Sequence, residues 1–259
     1  MKYAACARTD IGKKRTNNED CFSVNSYYMQ QPAKDSCSFF ELLKEGVFSV
    51  CDGMGGEEHG EYASLSGAKT FADNYVELLS SSKDERKKTA DRCIRSANAD
   101  ICEEMIRKNA RIGSTAVLAC VKDGRADIFN VGDSRAYLYR SGSLNQLTKD
   151  HTVYQQKLDL KGTTGNENSD DPEKHRLTQH LGIFEDEMVI EAFHAETSIE
   201  NGDILLLCSD GLTDMVTDEE IAAICGAPKD VVGISSALVN KALEHGGVDN
   251  ITVIVICQK

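Results

Sequence analysis

The sequence predicts an α+β domain rather than an alternating βαβ one, because its strand-like runs are joined to each other by tight turns and its helical patterns come in groups. Six runs are rich in β-branched and apolar residues: 45–51 (EGVFSVC), 114–121 (STAVLACV), 126–131 (ADIFNV), 135–140 (RAYLYR), 203–208 (DILLLC) and 251–257 (ITVIVIC). Asp123-Gly124 separates two of them and reads as a two-residue hairpin turn; Ser141-Gly142 and Asn201-Gly202 punctuate two more. Helical spacing places Ala63, Leu65, Ala68, Phe71, Tyr75, Leu78 and Leu79 on one face over 60–80. A second helix over 84–109 carries Ala90, Cys93, Ile94, Ala97, Ile101, Met105 and Ile106. Shorter helices fit 217–226 and 229–245, the first opened by Thr217 and Glu220 at capping-box spacing. Segment 150–185 is polar and nearly strandless, with a loop over Gly162–Asp171, and reads as a flap lobe inserted into one domain spanning 1–259.

The 259 residues suffice to bury a sizeable core, and 41% hydrophobic with 27% charged residues is ordinary for a soluble globular chain. The net charge of −13 argues against nucleic acid as a partner, since such binders cluster Lys and Arg on one face. Ten cysteines without a single C-x-x-C, several inside apolar runs, read as small buried hydrophobes of a reducing compartment. MKYAACARTD lacks an apolar signal segment, and no run approaches the roughly 20 apolar residues of a membrane span. The expectation is a cytoplasmic protein without a membrane partner, and a monomer.

Acidic residues recur at strand ends beside Gly, Ser or Asn: Asp52-Gly53, Asp133-Ser134, Asp210-Gly211 and Asp249-Asn250, with Glu19-Asp20 as a fifth site. Any one Asp-Gly is more often a turn than a ligand, because Asp bonds its own backbone and Gly accepts positive φ. The set differs, because at least three of these aspartates directly follow apolar runs, where a carboxylate is buried unless something pairs with it. No comparable set of basic residues is placed to do so. Hard divalent cations such as Mg²⁺ or Mn²⁺ suit many carboxylates and a carbonyl. Arg15 precedes Glu19 by four residues, and in an extended strand Arg15, Asn17 and Glu19 face one way. The arginine fork would then lie beside the acidic site, where it suits a pair of phosphate oxygens. The bland reading is a surface Arg15–Glu19 ion pair of little energetic weight.

In order, R-T-N-N-E-D, D-G-M-G-G, G-S-T, V-G-D-S-R, S-D-G-L-T-D and D-N-I-T resemble the metal-dependent Ser/Thr protein phosphatases, the PPM or type 2C family, in its bacterial form. The resemblance runs from about Thr9 to Val255. It implies a four-layer αββα sandwich of two antiparallel sheets, with two central Mg²⁺ or Mn²⁺ ions in the cleft between them. Asp52 would bridge both ions, the Gly53 carbonyl would hold one, and Asp210 and Asp249 the other. Asn250 would support this set. Glu19 and Asp20 would act mainly through bound waters, and Asp133 and Asp214, with Asp210, match a third site of bacterial relatives. Arg15 would grip the substrate phosphate. Two cations roughly 3.5–4 Å apart can share and acidify a water that attacks phosphorus directly, so no side-chain nucleophile is needed. Implied partners are phosphorylated proteins, a Ser/Thr kinase and its targets among them.

Two positions depart from the pattern. Met54 stands where animal relatives carry a histidine thought to protonate the leaving group, and His59, five residues on, reads as a surface residue. Gln179 in HRLTQHLG stands where relatives often have Arg. Two other readings are weighed against this one. A docking module of the same fold would usually lack the metal aspartates, and a two-metal nuclease would need a basic groove. Strand alternation further expects Cys51 on the face opposite Asp52 and Cys208 on the same face as Asp210; both read as inert core residues, with redox inhibition through Cys208 as the alternative.

Overall fold

The computed structural model describes residues 2–29, 35–55, 59–162 and 171–258. Two antiparallel sheets stack face to face. The first has the order β10-β9-β12-β13-β1-β4 and the second β11-β8-β7-β5-β2-β3, with β6 extending beside β5. The strands are β1 (Tyr3–Asp10), β2 (Asp20–Val24), β3 (Tyr27–Tyr28), β4 (Asp35–Leu43), β5 (Gly46–Gly55), β6 (Ile112–Ser114), β7 (Ala116–Lys122), β8 (Arg125–Val131), β9 (Arg135–Arg140), β10 (Ser143–Gln146), β11 (Phe193–Ser198), β12 (Ile204–Cys208) and β13 (Ile251–Gln258). The helices are α1 (Gly60–Asp73), α2 (Tyr75–Ser80), α3 (Lys83–Lys108), α4 (Val153–Lys161), α5 (Asp210–Thr213), α6 (Asp218–Cys225) and α7 (Val231–Glu244). Helices α1 to α3 cover the second sheet and α5 to α7 the first.

The four layers explain why the central strands read as unbroken apolar runs. In β12, Leu205 and Leu207 join the core that spans the two sheets and α1–α3, while Ile204, Leu206 and Cys208 point out to the core under α5–α7. In β13, Ile254 and Ile256 take the first direction and Val253 and Val255 the second. A strand buried on both faces has no polar alternation to keep.

Turn chemistry follows the sequence reading. Asp123 and Gly124 (φ 50° and 74°) close the β7–β8 hairpin, and Ser141 and Gly142 (φ 50° and 88°) close β9–β10, the doubly positive pattern of a two-residue hairpin. Thr217 and Glu220 form a reciprocal capping box at the start of α6. The helix expected over 60–80 is broken at Asn74. Its side-chain amide donates to the Thr70 carbonyl (2.8 Å) and its backbone closes α1 before α2 begins. The polar segment 150–185 carries α4, which buries none of its residues, and returns to the body through a bridge between Ser114 and Leu181. Most of the loop expected over Gly162–Asp171 lies outside the described residues. No helix among the described residues is long and apolar enough to cross a membrane.

Candidate metal centre

One end of the sandwich gathers the acidic residues, and hydrogen-bonding side chains fix their backbone. Asp52 in β5 pairs across the sheet with Asp20 in β2, so their side chains share a face. The Asp52 N–H donates to Thr115 Oγ1 (3.1 Å), and its carbonyl accepts from the Ser114 hydroxyl (3.0 Å) and the Thr115 N–H (2.8 Å). Thr115 Oγ1 also bonds Ser134 Oγ at 2.6 Å, tying the frame around Asp52 to the turn that carries Asp133. From the other sheet, Asp210 opens α5 directly after β12, Asp214 closes it, and Asp249 precedes β13. Ser209 bridges the two sheets: its hydroxyl donates to Asp20 Oδ2 (2.8 Å) and accepts from the Thr252 N–H (3.0 Å).

Segment 11–19 is a chain of turns rather than a strand, so the alternation expected for Arg15, Asn17 and Glu19 does not hold. Gly12 enters it with φ 78°, where an added Cβ would lie 2.2 Å from the Asp249 carbonyl oxygen. Only glycine fits that approach. Asn250 pins the segment through three bonds: its amide donates to the carbonyls of Ile11 (3.0 Å) and Asn17 (2.9 Å), and its oxygen accepts from the Glu19 N–H (2.8 Å). Glu19 then reaches the first residue of α1, accepting from the Gly60 N–H at 3.3 Å. Gly53 sits under both, since a Cβ there would meet the carbonyl oxygens of Gly60 (2.2 Å) and Glu19 (2.6 Å). Held this way, Arg15 does not pair with Glu19. Its Nη2 donates to Asp249 Oδ2 at 2.6 Å, with the arginine half exposed at the rim.

The electrostatics are those of like charges crowded at a partly open site, with Asp20 buried, Asp52, Asp133 and Asp210 half-buried and Asp214 exposed. Burial first, then the charges of Asp20 and Asp210, hold Asp52 well above the carboxylate range; Asp52 and Asp210 also share a hydrogen bond. Burial and Asp210 do the same to Asp133. Burial, opposed by the bonds to Thr252 and Ser209 and reinforced by Asp210 and Asp249, pushes Asp20 up to about 7. Asp214 rises to about 6 for the same leading cause plus Asp210. Two buried carboxylate oxygens, Asp20 Oδ1 and Asp210 Oδ1, find no N–H or hydroxyl donor among the described residues. Buried carboxylates this close need cations, and an all-oxygen donor set fits hard divalent ions.

His175, which the sequence reading passed over, enters from the polar lobe. His175, Asp210 and Asp214 each present a ligand atom, all within 4.8 Å of one another, with His175 Nδ1 3.5 Å from Asp214 Oδ2. A second such group, Asp127, His194 and Glu196, lies away from this end and is already neutralised. Arg86 and His194 bond Asp127 at 2.5 and 3.3 Å, and Lys83 holds Glu196 at 2.8 Å. It is an ion-pair network.

A cleft of about 580 Å³ opens beside Arg15, Glu19, His59, Glu61 and Tyr62. A second of about 580 Å³, lined by Met54, Ile112, Gly113, His180 and Ile183, adjoins it at Gly55. Gln179 turns away to accept from the Glu191 N–H at 2.9 Å. Cys51 lies opposite Asp52 as expected, packed beneath Gly67 of α1, where an added Cβ would meet its Sγ at 3.1 Å. Cys208 does not share a face with Asp210, because β12 ends at Cys208 and Asp210 belongs to α5. Its side chain is fully buried in the core under α5–α7, and burial pushes its thiol up to about 12, which favours the packing role over the redox one.

The crowding predicts a pH dependence of stability. Asp20 and Asp214 keep their protons in the folded state above their ordinary 3.8, where the unfolded chain has lost them. Their contribution is complete below about pH 4 and is lost as pH rises through about 6 to 7. The chelated protein should therefore melt at a lower temperature at about pH 7.5 than at about pH 5, and Asp20→Asn should flatten that slope. Melting curves across this window, flat or rising in wild type and unchanged in Asp20→Asn, would remove the argument.

Comparison with known proteins agrees with this architecture. The family model for protein phosphatase 2C matches residues 12–157. The serine/threonine phosphatase stp of Listeria innocua is 31% identical over 253 residues, covering 96% of this chain and 93% of that one. The crystal structure of the serine/threonine phosphatase PstP/Ppp of Mycobacterium tuberculosis superposes with a TM-score of 0.82 at 29% identity, covering both chains fully. A structure of the PstP catalytic domain in complex with two manganese ions superposes at 0.78, with 29% identity over 99% of this chain and 98% of that one. The chain belongs to the protein phosphatase 2C family.

Proposed function

We propose that this chain is a metal-dependent protein phosphatase acting on phosphoserine and phosphothreonine, and that residues 1–259 form one catalytic domain with a flap lobe at about 150–185. The observation that carries the reading is the pair of buried oxygens on Asp20 and Asp210 that find no N–H or hydroxyl donor among the described residues, set among Asp52, Asp133 and Asp249 behind an exposed Arg15. Asp52, the Gly53 carbonyl, Asp210 and Asp249 would hold two central Mn²⁺ or Mg²⁺ ions, with Glu19 and Asp20 alongside. Asp133, Asp210 and Asp214 would serve a third site, which His175 is placed to join. The manganese-bound relative supports this choice of ion. Bound at such a centre, divalent cations acidify a water and offset charge on phosphoryl oxygens.

The chain's own residues do the rest. Arg15 offers a planar fork to two phosphate oxygens at the mouth of the cleft. Asn250 and Gly12 hold its segment against the Asp249 turn, so the fork and the carboxylates keep a fixed relation. Met54 has no proton to give a leaving group. Phosphorylated cytoplasmic proteins, including a Ser/Thr kinase and its targets, are the partners this reading favours.

The test is hydrolysis of an aryl phosphate and of a phosphothreonine peptide with Mn²⁺, then with excess chelator. Turnover should vanish on chelation and return with added Mn²⁺. Hydrolysis indifferent to chelator would defeat the metal-dependent reading. Tight phosphopeptide binding with no turnover at any Mn²⁺ concentration would favour the docking-module alternative.

A further inference from the structure

We propose that Cys6 and Cys37 form a redox-responsive pair that closes into a disulfide across strands β1 and β4. Their sulfur atoms lie 3.2 Å apart. In the β1–β4 register Cys6 stands opposite Phe39 and Cys37 opposite Arg8. The two cysteines are thus diagonal neighbours on one face of the sheet, and the 3.2 Å between their sulfurs is what brings them within reach of a bond. A disulfide needs the sulfurs at about 2.05 Å, a closing of about 1 Å that small side-chain rotations on an edge strand can supply.

The two thiols are unequal in a way that assigns their roles. Cys37 is exposed, while Cys6 is fully buried under α7. The Ser235 hydroxyl lies 3.0 Å from the Val232 carbonyl and 3.2 Å from Cys6 Sγ, and either sulfur can donate across the contact between Cys6 and Cys37. Burial pushes Cys6 up to about 12, which keeps its proton in place. Arg8, opposite Cys37, carries its guanidinium to Asp35 at 3.3 Å. Cys37 is therefore the sulfur that an oxidant in solution meets first, with Cys6 held behind it as its partner.

With a hydroperoxide as oxidant, the Cys37 sulfur gives up its proton and attacks the terminal peroxide oxygen, and that proton ends on the departing alkoxide or hydroxide. The O–O bond breaks, the alcohol or water leaves, and Cys37 becomes a sulfenic acid. As its proton passes to the departing hydroxyl, Cys6 sulfur then attacks Cys37 sulfur. The S–O bond breaks, the S–S bond forms, and the hydroxyl leaves as water with the Cys6 proton. The two thiols are oxidised by two electrons and one hydroperoxide is reduced. The closed loop contains Arg15, Glu19 and Asp20, so the bond fastens edge strand β4 to the strand that leads into the site.

The experiment treats the full chain with hydrogen peroxide, alkylates it, and reads intact mass and proteolytic peptides. A parallel sample is followed by hydrogen exchange. The expected result is a loss of about 2 Da, reversed by dithiothreitol, one cross-linked peptide joining Cys6 to Cys37, and about tenfold slower exchange of the β4 amides. Cys37→Ser, an exposed change, should abolish all three while leaving the unoxidised fold intact. Sulfinic acid or a peroxide-resistant thiol at Cys37, with Cys6 still alkylatable after denaturation, would overturn the proposal. So would a cross-link that pairs either cysteine with a different one.

Discussion

Asp210→Ala and Asp52→Ala should each lower kcat/KM by about 10²-fold or more at saturating Mn²⁺, the order expected when a group that organises transition-state charge is lost. Neither change should unfold the protein. The Asp52 backbone is held by Ser114 and Thr115 independently of its carboxylate, and Asp210 lies in a short helix whose apolar residue, Leu212, anchors it in the core. Each change removes a carboxylate from a crowded set in which Asp20 and Asp210 raise Asp52 and Asp249 raises Asp210, against one lowering contact, the hydrogen bond from Asp52 to Asp210. The chelated variants should therefore melt at or above the temperature of chelated wild type, and gain less from added Mn²⁺. Both readings come from one preparation: turnover with Mn²⁺, and melting with and without it. Near wild-type turnover of Asp210→Ala at saturating Mn²⁺ would mean that this end of the sandwich does not hold the working ions.

The parts of this site that were legible in the sequence share a physical signature. Asp52, Asp133 and Asp210 follow or interrupt apolar runs, so their partial burial could be read from their neighbours. The side chains that hold them in place could not. Ser209 meets Asp20 from 189 positions away, and Thr115 meets Ser134 across two strands; a lone hydroxyl carries no periodicity that announces its partner. His175 was hidden for the same reason, because only the folded lobe brings it to Asp214.

The fold was legible where strands are β-branched and helices amphipathic. Strand β1 was missed because YAACARTD fills a fully enclosed position with alanine and cysteine rather than valine and isoleucine. Helix α4 was missed because it buries nothing, and without a buried face there is no apolar stripe to count. The error over 11–19 came from applying two-residue alternation to a segment whose geometry is set locally. Asp10 Oδ1 accepts from the Gly12 N–H at 2.7 Å, and the turn begins there. The same feature removed the Arg15–Glu19 pair and placed the arginine on Asp249.

That placement sharpens what losing Arg15 should do. Its ion pair with Asp249 is half exposed and screened by water, so it adds little to stability. The Asp249 turn is held by other means, since the Asn250 N–H donates to Asp249 Oδ1 (2.8 Å) and the Asn250 amide ties the turn to Ile11 and Asn17. Arg15→Ala should therefore leave the melting temperature nearly unchanged and Mn²⁺ affinity no weaker, because the variant frees an oxygen of Asp249. Catalysis should suffer instead: kcat/KM should fall about tenfold or more, the order expected for one charge-assisted contact to the phosphoryl group. Arg15→Lys should recover only part of this, since an ammonium keeps the charge but not the two-pronged geometry. Calorimetric Mn²⁺ titration set beside steady-state kinetics separates the cases. If Mn²⁺ affinity falls in step with kcat/KM, Arg15 supports the carboxylates rather than the substrate; if it holds while kcat/KM drops, the guanidinium acts on the phosphate.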